Sequence, residues 1–167
     1  MTQSWDRIYT PHRLEYLRGA NVSDDCPFCA APELNGSDTL DLVAHRGQLA
    51  YVVLNLYPYN AGHLLICPYR HVADYTELTD AERDEIAQLT QESMHTLRAI
   101  SGAQGFNLGM NQGSISGAGI AAHLHQHVVP RWGGDANFMP IIGETKVLPQ
   151  LLTQTRDLLQ EGWISSH

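Results

Sequence analysis

The sequence predicts an α+β fold with a mainly antiparallel sheet, and three observations carry that expectation. Short apolar runs over Leu40–Arg46, Leu49–Tyr57 and His63–Pro68 read as strands bounded by turn-forming residues. One long helical pattern opens at Thr79 and stops at Gly102. Two further strand-like runs, Gly105–Asn111 and Ala122–Arg131, follow it. Strands on both sides of a single long helix make an α+β arrangement.

Length and charge narrow the function classes. With 167 residues, 43% of them hydrophobic, the chain can bury a core of its own, and 1–167 is read as a single domain. Within it, 1–25 is expected as a helical extension and 143–167 as a C-terminal helix and tail. No apolar run approaches the ~18 residues of a membrane span. The start of the chain lacks a basic-then-apolar signal pattern, so a cytoplasmic location is expected. A formal net charge of −8 repels nucleic acid polymers and acidic membranes at long range, yet still allows a small nucleotide to bind.

Residues 5–19 read as a short helix, with Thr10 as cap, Pro11 in the first turn, Gly19 as stop and Trp5, Ile8, Leu14 and Leu17 as its stripe. It is expected to pack on the domain or on a partner subunit. Cys26-Pro27-Phe28-Cys29 sits in a loop-forming stretch that continues to Asp38. Three cysteines are too few for a disulfide scaffold, and Cys-x-x-Cys here reads as half of a metal set or as a redox pair. Redox use wants a strand before the motif and a helix after it, whereas loops are expected on both sides.

The first two strands turn at Gly47-Gln48, and the second, almost wholly apolar, should be central. Pro58–Gly62 is a turn. Cys67 lies inside an apolar strand and reads as a packed thiol. Thr79-Asp80-Ala81-Glu82 is a capping box, and Ile86, Leu89, Ser93, Leu97 and Ile100 mark the buried face of the long helix. A last helix is expected from about Val147, with Pro149 in its first turn and Leu148, Leu151, Leu152, Leu158 and Leu159 as its stripe. His12, His45, His95 and His167 read as surface residues.

The chemistry concentrates in Ala122–Arg131, where His123, His125 and His127 alternate. On a strand they would share one face, about 6–7 Å from one to the next. Pro130 would end the pairing, and Arg131 adds a permanent cation. Imidazoles beside an arginine suit phosphate, because imidazole can attack phosphorus and shuttle protons. His-x-His on a strand also binds zinc, so a catalytic metal site stays open as a rival.

His123-x-His125-x-His127-Val128-Val129 resembles the signature of the histidine triad (HIT) nucleotide hydrolases and transferases, with Gln126 standing where that pattern prefers an apolar residue. The resemblance runs from about Cys26 to Ile142. Pro130–Phe138 and the further helix resemble the HIT branch that contains bacterial diadenosine tetraphosphate phosphorylases. The resemblance implies a sheet of about five strands with the long helix across it, and a two-fold homodimer that extends the sheet.

It also implies roles. His125 would attack the α-phosphorus and become a nucleotidyl-histidine, and His127 would assist the leaving group. Asn55 and His63 resemble the segment that holds the ribose and orients the triad. Asn111 would reach the phosphates, and the small-residue loop carrying Ser116, Gly117 and Gly119 can bring backbone N–H groups close to phosphate oxygens. Two cysteines joined by a histidine at the His71 position and by the first triad histidine, His123, would make a closed structural zinc set, one ion per chain, with no organic cofactor. The implied reaction is phosphorolysis of diadenosine tetraphosphate to ADP and ATP. A dinucleoside polyphosphate hydrolase, a nucleoside phosphoramidase, a metalloenzyme built on the histidine row and a non-catalytic nucleotide binder are the alternatives.

Overall fold

A computed structural model describes residues 26–34, 41–135 and 150–166. The helix expected over 5–19 and the start of the last helix at Val147 and Pro149 lie outside the described residues.

Cys26 opens a single helical turn, α1 (Pro27–Ala30), which runs into a 3-10 turn at Ala31–Glu33. This corrects the loop expected there. Pro27 has its φ preset for a first helical position, and the Cys26 carbonyl accepts from the Cys29 and Ala30 N–H groups at 3.0 and 3.1 Å. Five strands follow: β1 (Val43–Arg46), β2 (Ala50–Leu54), β3 (Leu64–Pro68), β4 (Gly105–Met110) and β5 (Gln126–Arg131). Between β3 and β4 runs α2 (Asp80–Ser101), and α3 (Leu152–Glu161) comes last. The sheet order is β1-β2-β3-β5-β4 and every neighbouring pair is antiparallel. The α+β expectation holds; the second strand is interior, between β1 and β3, while β3 takes the middle of the sheet, and β1 and β2 are shorter than their apolar runs.

The β1–β2 turn is fixed from outside. The Glu85 carboxylate on α2 accepts from the Gln48 and Leu49 N–H groups, both at 2.6 Å. A Cβ on Gly47 would crowd that carboxylate and lie 2.8 Å from the Ala50 carbonyl oxygen, so glycine suits the close approach. The capping box opens α2, with Glu82 also held by Arg70 at 2.7 Å. Ile86, Leu89, Ser93 and Leu97 are buried as their spacing requires, against β2, β3 and β5.

The last helix departs from its expected stripe. Leu159 is buried, but Leu151 and Leu158 are exposed. Its inner face is partly polar, because it covers a strand edge rather than a sheet face. Arg156 donates to the Asp41 carbonyl and Gln160 donates to the Val43 carbonyl at 2.7 Å. These side chains satisfy the outer edge of β1, where backbone groups otherwise stand open. Glu92 on α2 anchors the segment after α3 by accepting from Trp163 Nε1–H and from the Ser166 N–H and hydroxyl. His45 is not bare surface either, since it stacks on Trp163 at 4.3 Å.

The triad stretch is the main correction. β5 begins at Gln126, so His123 and His125 precede the ladder and only His127 sits in it, opposite Leu65. The Leu124 N–H donates to the Val72 carbonyl at 2.7 Å, drawing this backbone towards the segment after β3. In β5, Val128 is buried and Gln126 donates to Thr90 of α2 at 2.6 Å. Alternation therefore puts His127 on the sheet face turned away from α2.

Candidate active site and metal centre

Hydrogen bonds assign the tautomer of each histidine. His125 is buried, and its Nδ1 lies 2.8 Å from the His123 carbonyl. A carbonyl only accepts, so Nδ1 carries the hydrogen and the lone pair is on Nε2. Burial lowers the pKa of His125 and favours the neutral ring, which keeps that lone pair available.

The other pair forms a relay. The Tyr59 N–H donates to His63 Nδ1 at 3.0 Å, and Asn55 Nδ2 also faces it at 3.3 Å. His63 is fully buried, and its Nε2–H therefore donates to His127 Nδ1 at 2.9 Å. That leaves His127 with its hydrogen on Nε2. The His125 and His127 rings meet at 5.1 Å, edge to face. Beside each other stand one imidazole that presents a lone pair and one that presents an N–H. This arrangement can attack an electrophile and stabilise the atom that leaves it.

Asn55 has a second duty, since its Oδ1 accepts from the Tyr57 N–H at 3.0 Å and shapes the turn. Asn111 follows the last β4–β5 pair, Met110 with Gln126, and so lies level with His125. In the loop beyond, Gly113 and Gly117 take positive φ of 77° and 81°, and the Ser116 hydroxyl donates to the Gly113 carbonyl at 2.7 Å. Gly119 lies in a bend of the same loop. Asp74, in the segment after β3, accepts from the Thr76 N–H at 2.9 Å and from the Thr76 hydroxyl at 2.8 Å.

Arg131 is not brought to the imidazoles. Its guanidinium grips Asp135 through two bonds of 2.7 and 2.8 Å and donates to Asn107 at 2.9 Å. At four residues from His127 it is about 13 Å along the strand. The free cation expected beside the triad is thus a structural ion pair, and it holds Asp135 well below the usual carboxylate range.

His123 faces elsewhere. Its Nε2–H donates to the Pro68 carbonyl at 2.9 Å, so the Nδ1 lone pair points at the cysteines, 3.3 Å from Cys26 Sγ and 3.6 Å from Cys29 Sγ. Cys29 Sγ is 3.2 Å from His71 Nδ1. All four ligand atoms of Cys26, Cys29, His71 and His123 lie within 4.8 Å of one another. The edges of a tetrahedron with zinc–nitrogen and zinc–sulfur bonds are about 3.3–3.8 Å. The cluster therefore fits a four-coordinate ion. Burial and the neighbouring Cys26 raise the pKa of Cys29. Cys67 is fully buried and its thiol is pushed up by burial, in keeping with packing.

The family model for the HIT domain matches residues 41–134. The chain belongs to the HIT family. The AP-4-A phosphorylase of Mycobacterium tuberculosis H37Rv is 49% identical over 165 residues, covering 94% of this chain and 84% of that protein. A HIT-like protein of Methanocaldococcus jannaschii is 28% identical over 121 residues, 72% of this chain and 89% of that one. The crystal structure of a zinc-bound histidine triad family protein from Mycobacterium smegmatis superposes with a TM-score of 0.65 at 24% identity, covering 83% of this chain and 92% of that one. Gln126, polar where the resemblance leads one to expect an apolar residue, has its amide satisfied by Thr90.

Sequence reasoning singled out neither of two residues that line the site. Phe28, between the cysteines, packs on His123 at 5.6 Å and on His125 at 4.9 Å, and its carbonyl accepts from the Tyr51 hydroxyl at 2.6 Å. Tyr59 stacks on His127. Only the adjacency of Phe28 to a candidate ligand pair pointed towards it.

Proposed function

We propose that the protein is a nucleotidyltransferase that cleaves diadenosine tetraphosphate with inorganic phosphate to ADP and ATP. The observation that carries the reading is the opposite tautomers of the neighbouring His125 and His127. The His125 Nε2 lone pair forms a bond to the α-phosphorus while the bond to the bridging oxygen breaks, and that electron pair leaves on the oxygen of ATP. The His127 Nε2–H stabilises this oxygen by hydrogen bonding, and the His125 Nδ1–H stays on the His123 carbonyl. Phosphate oxygen then attacks phosphorus, the P–N bond returns its electrons to Nε2, and ADP is released. Asn55 is proposed to hold the ribose, and Asn111 with the Ser116–Gly119 loop to contact the phosphates. The 49% identity to a protein named AP-4-A phosphorylase supports phosphate as acceptor.

Cys26, Cys29, His71 and His123 are proposed to hold a structural zinc ion. When bound, it would supply a closed four-ligand tie with no open position for water. The rival in which all three triad histidines share one metal has no support in the geometry, since their Nδ1 atoms face cysteine sulfur, a carbonyl and His63 respectively.

We further propose a cytoplasmic homodimer joined through β4. The β1 edge is covered by α3, whereas β4 is the other end of the sheet and Leu108 on it is exposed. No described helix is long and apolar enough to cross a membrane. The whole chain is proposed as one domain.

The test is product analysis with diadenosine tetraphosphate, with and without phosphate. ADP with ATP, dependent on phosphate, is the expected result. AMP with ATP in excess phosphate would assign a hydrolase instead.

A further inference from the structure

We infer that Tyr59 is a positioning residue for His127, its ring setting the angle at which the His127 Nε2–H meets the departing oxygen. The inference rests on the nucleotidyl-transfer reading above.

The His63 bond to Nδ1 limits rotation of the His127 ring about Cβ–Cγ, because Nδ1 lies off that axis. A hydrogen bond tolerates small shifts in distance and angle, so the ring keeps some freedom to librate about its broad second torsion. Tyr59 narrows that freedom from one face. Its ring lies nearly parallel to His127, 13° between planes and 5.5 Å between centroids, within the range of offset stacking. It also contacts His63 at 4.6 Å and 42°. Two more rings contact His127: that of His125 meets it edge to face and limits tilt in a different direction, and that of His63 lies against it at 5.1 Å and 37°.

Tyr59 can serve as a stop because its own turn is clamped. Pro58 restricts the backbone before it. The buried Asn60 after it donates to the Pro130 carbonyl at 3.0 Å and to Asp135 at 2.8 Å. Asp135 is in turn held by Arg131. The guanidinium that does not reach the imidazoles thus braces the turn carrying Tyr59. The ring is still 44% exposed, far more than a core aromatic. What is used is the flat face, together with the main-chain N–H that sets the relay.

A series of aryl esters of AMP with leaving groups of graded basicity tests this. Such esters need more help from the His127 N–H as the leaving oxygen becomes more basic. Tyr59→Leu should lower kcat roughly tenfold on the phenyl ester but less than about threefold on the 4-nitrophenyl ester, with KM little changed. Tyr59→Phe should recover most of the loss. Tyr59→Met supplies a second non-aromatic side chain should the leucine variant fold poorly. An equal loss along the series, a loss confined to KM, or no recovery by phenylalanine would overturn the inference. Retained turnover of these esters by His125→Ala would instead sink the nucleotidyl-transfer reading, whatever Tyr59 does.

Discussion

His123 and His125 are two residues apart, both buried, both held by a backbone carbonyl, and they point their lone pairs to opposite purposes. At His123 the Pro68 carbonyl takes the Nε2–H, so Nδ1 faces sulfur. At His125 the His123 carbonyl takes the Nδ1–H, so the lone pair is on Nε2. One backbone oxygen per ring decides between a metal ligand and a nucleophile. The two regions are also joined, because the residue that offers Nδ1 to the cysteines offers its carbonyl to the nucleophile. Fixing one ring by metal orients the next, a supporting role that groups around a site commonly play.

The comparison can be broken at either end. The largest effect is expected at the nucleophile: His125→Ala should lose roughly a thousandfold or more in turnover, with thermal stability nearly unchanged. Next is the relay. His63→Phe removes the donor to His127 Nδ1 and should cost roughly a hundredfold in kcat, while His63→Gln, whose amide can still donate, should lose much less. Steady-state kinetics beside melting curves separates these from folding defects.

At the other end, chelation or Cys29→Ser should act on stability. Binding energy at such sites is folding energy, and a loss of about 3 kcal/mol would lower the melting temperature by roughly 10 °C. Activity should fall only as the protein unfolds. Loss of activity on chelation with the fold intact would mean that the metal end does chemistry.

A smaller effect is expected where Arg70, next to His71, meets Glu82. The Arg70 bond and the capping contacts hold the Glu82 carboxyl at about 2, below its ordinary 4.5. A carboxylate depressed on folding stabilises above the unfolded value and loses that contribution as pH falls through the folded one. Glu82→Gln should therefore be less stable than wild type at neutral pH, with the difference shrinking between about pH 4.5 and 2. A difference independent of pH, measured by denaturant titration, would contradict the assignment. Smallest of all is Ser93→Ala. The Ser93 hydroxyl is buried with no hydrogen-bond partner among the described residues, so its removal should stabilise by about 1 kcal/mol or less without touching activity.

Much of this was legible in the sequence, and the failures share a cause. Periodicity located the long helix and the central strands because one buried face leaves a regular trace. The same reasoning made one strand of Ala122–Arg131, since alternation looks alike whether a ladder or local bonds produce it. The Leu124 bond to Val72 and the His125 bond to its own backbone decided otherwise, and neither partner is visible from spacing. Arg131 was misplaced because its partner Asp135 is near in sequence but no pattern told that they pair. Tyr59 was invisible because a turn aromatic carries no periodic signal. The proximity of Cys26, Cys29, His71 and His123 was foreseen only through family resemblance, as four ligands from distant parts of a chain have no local spacing to read.

The divided labour of the histidine row is tested most directly by trapping the intermediate. The protein is mixed with diadenosine tetraphosphate in phosphate-free buffer, quenched early, digested and mapped by mass spectrometry. One adenylyl group per chain, bonded to His125 and discharged as ADP when phosphate is added before the quench, is the expected result. An adenylyl group on His123 or His127, or turnover with no covalent adenylyl species at any time, would contradict it.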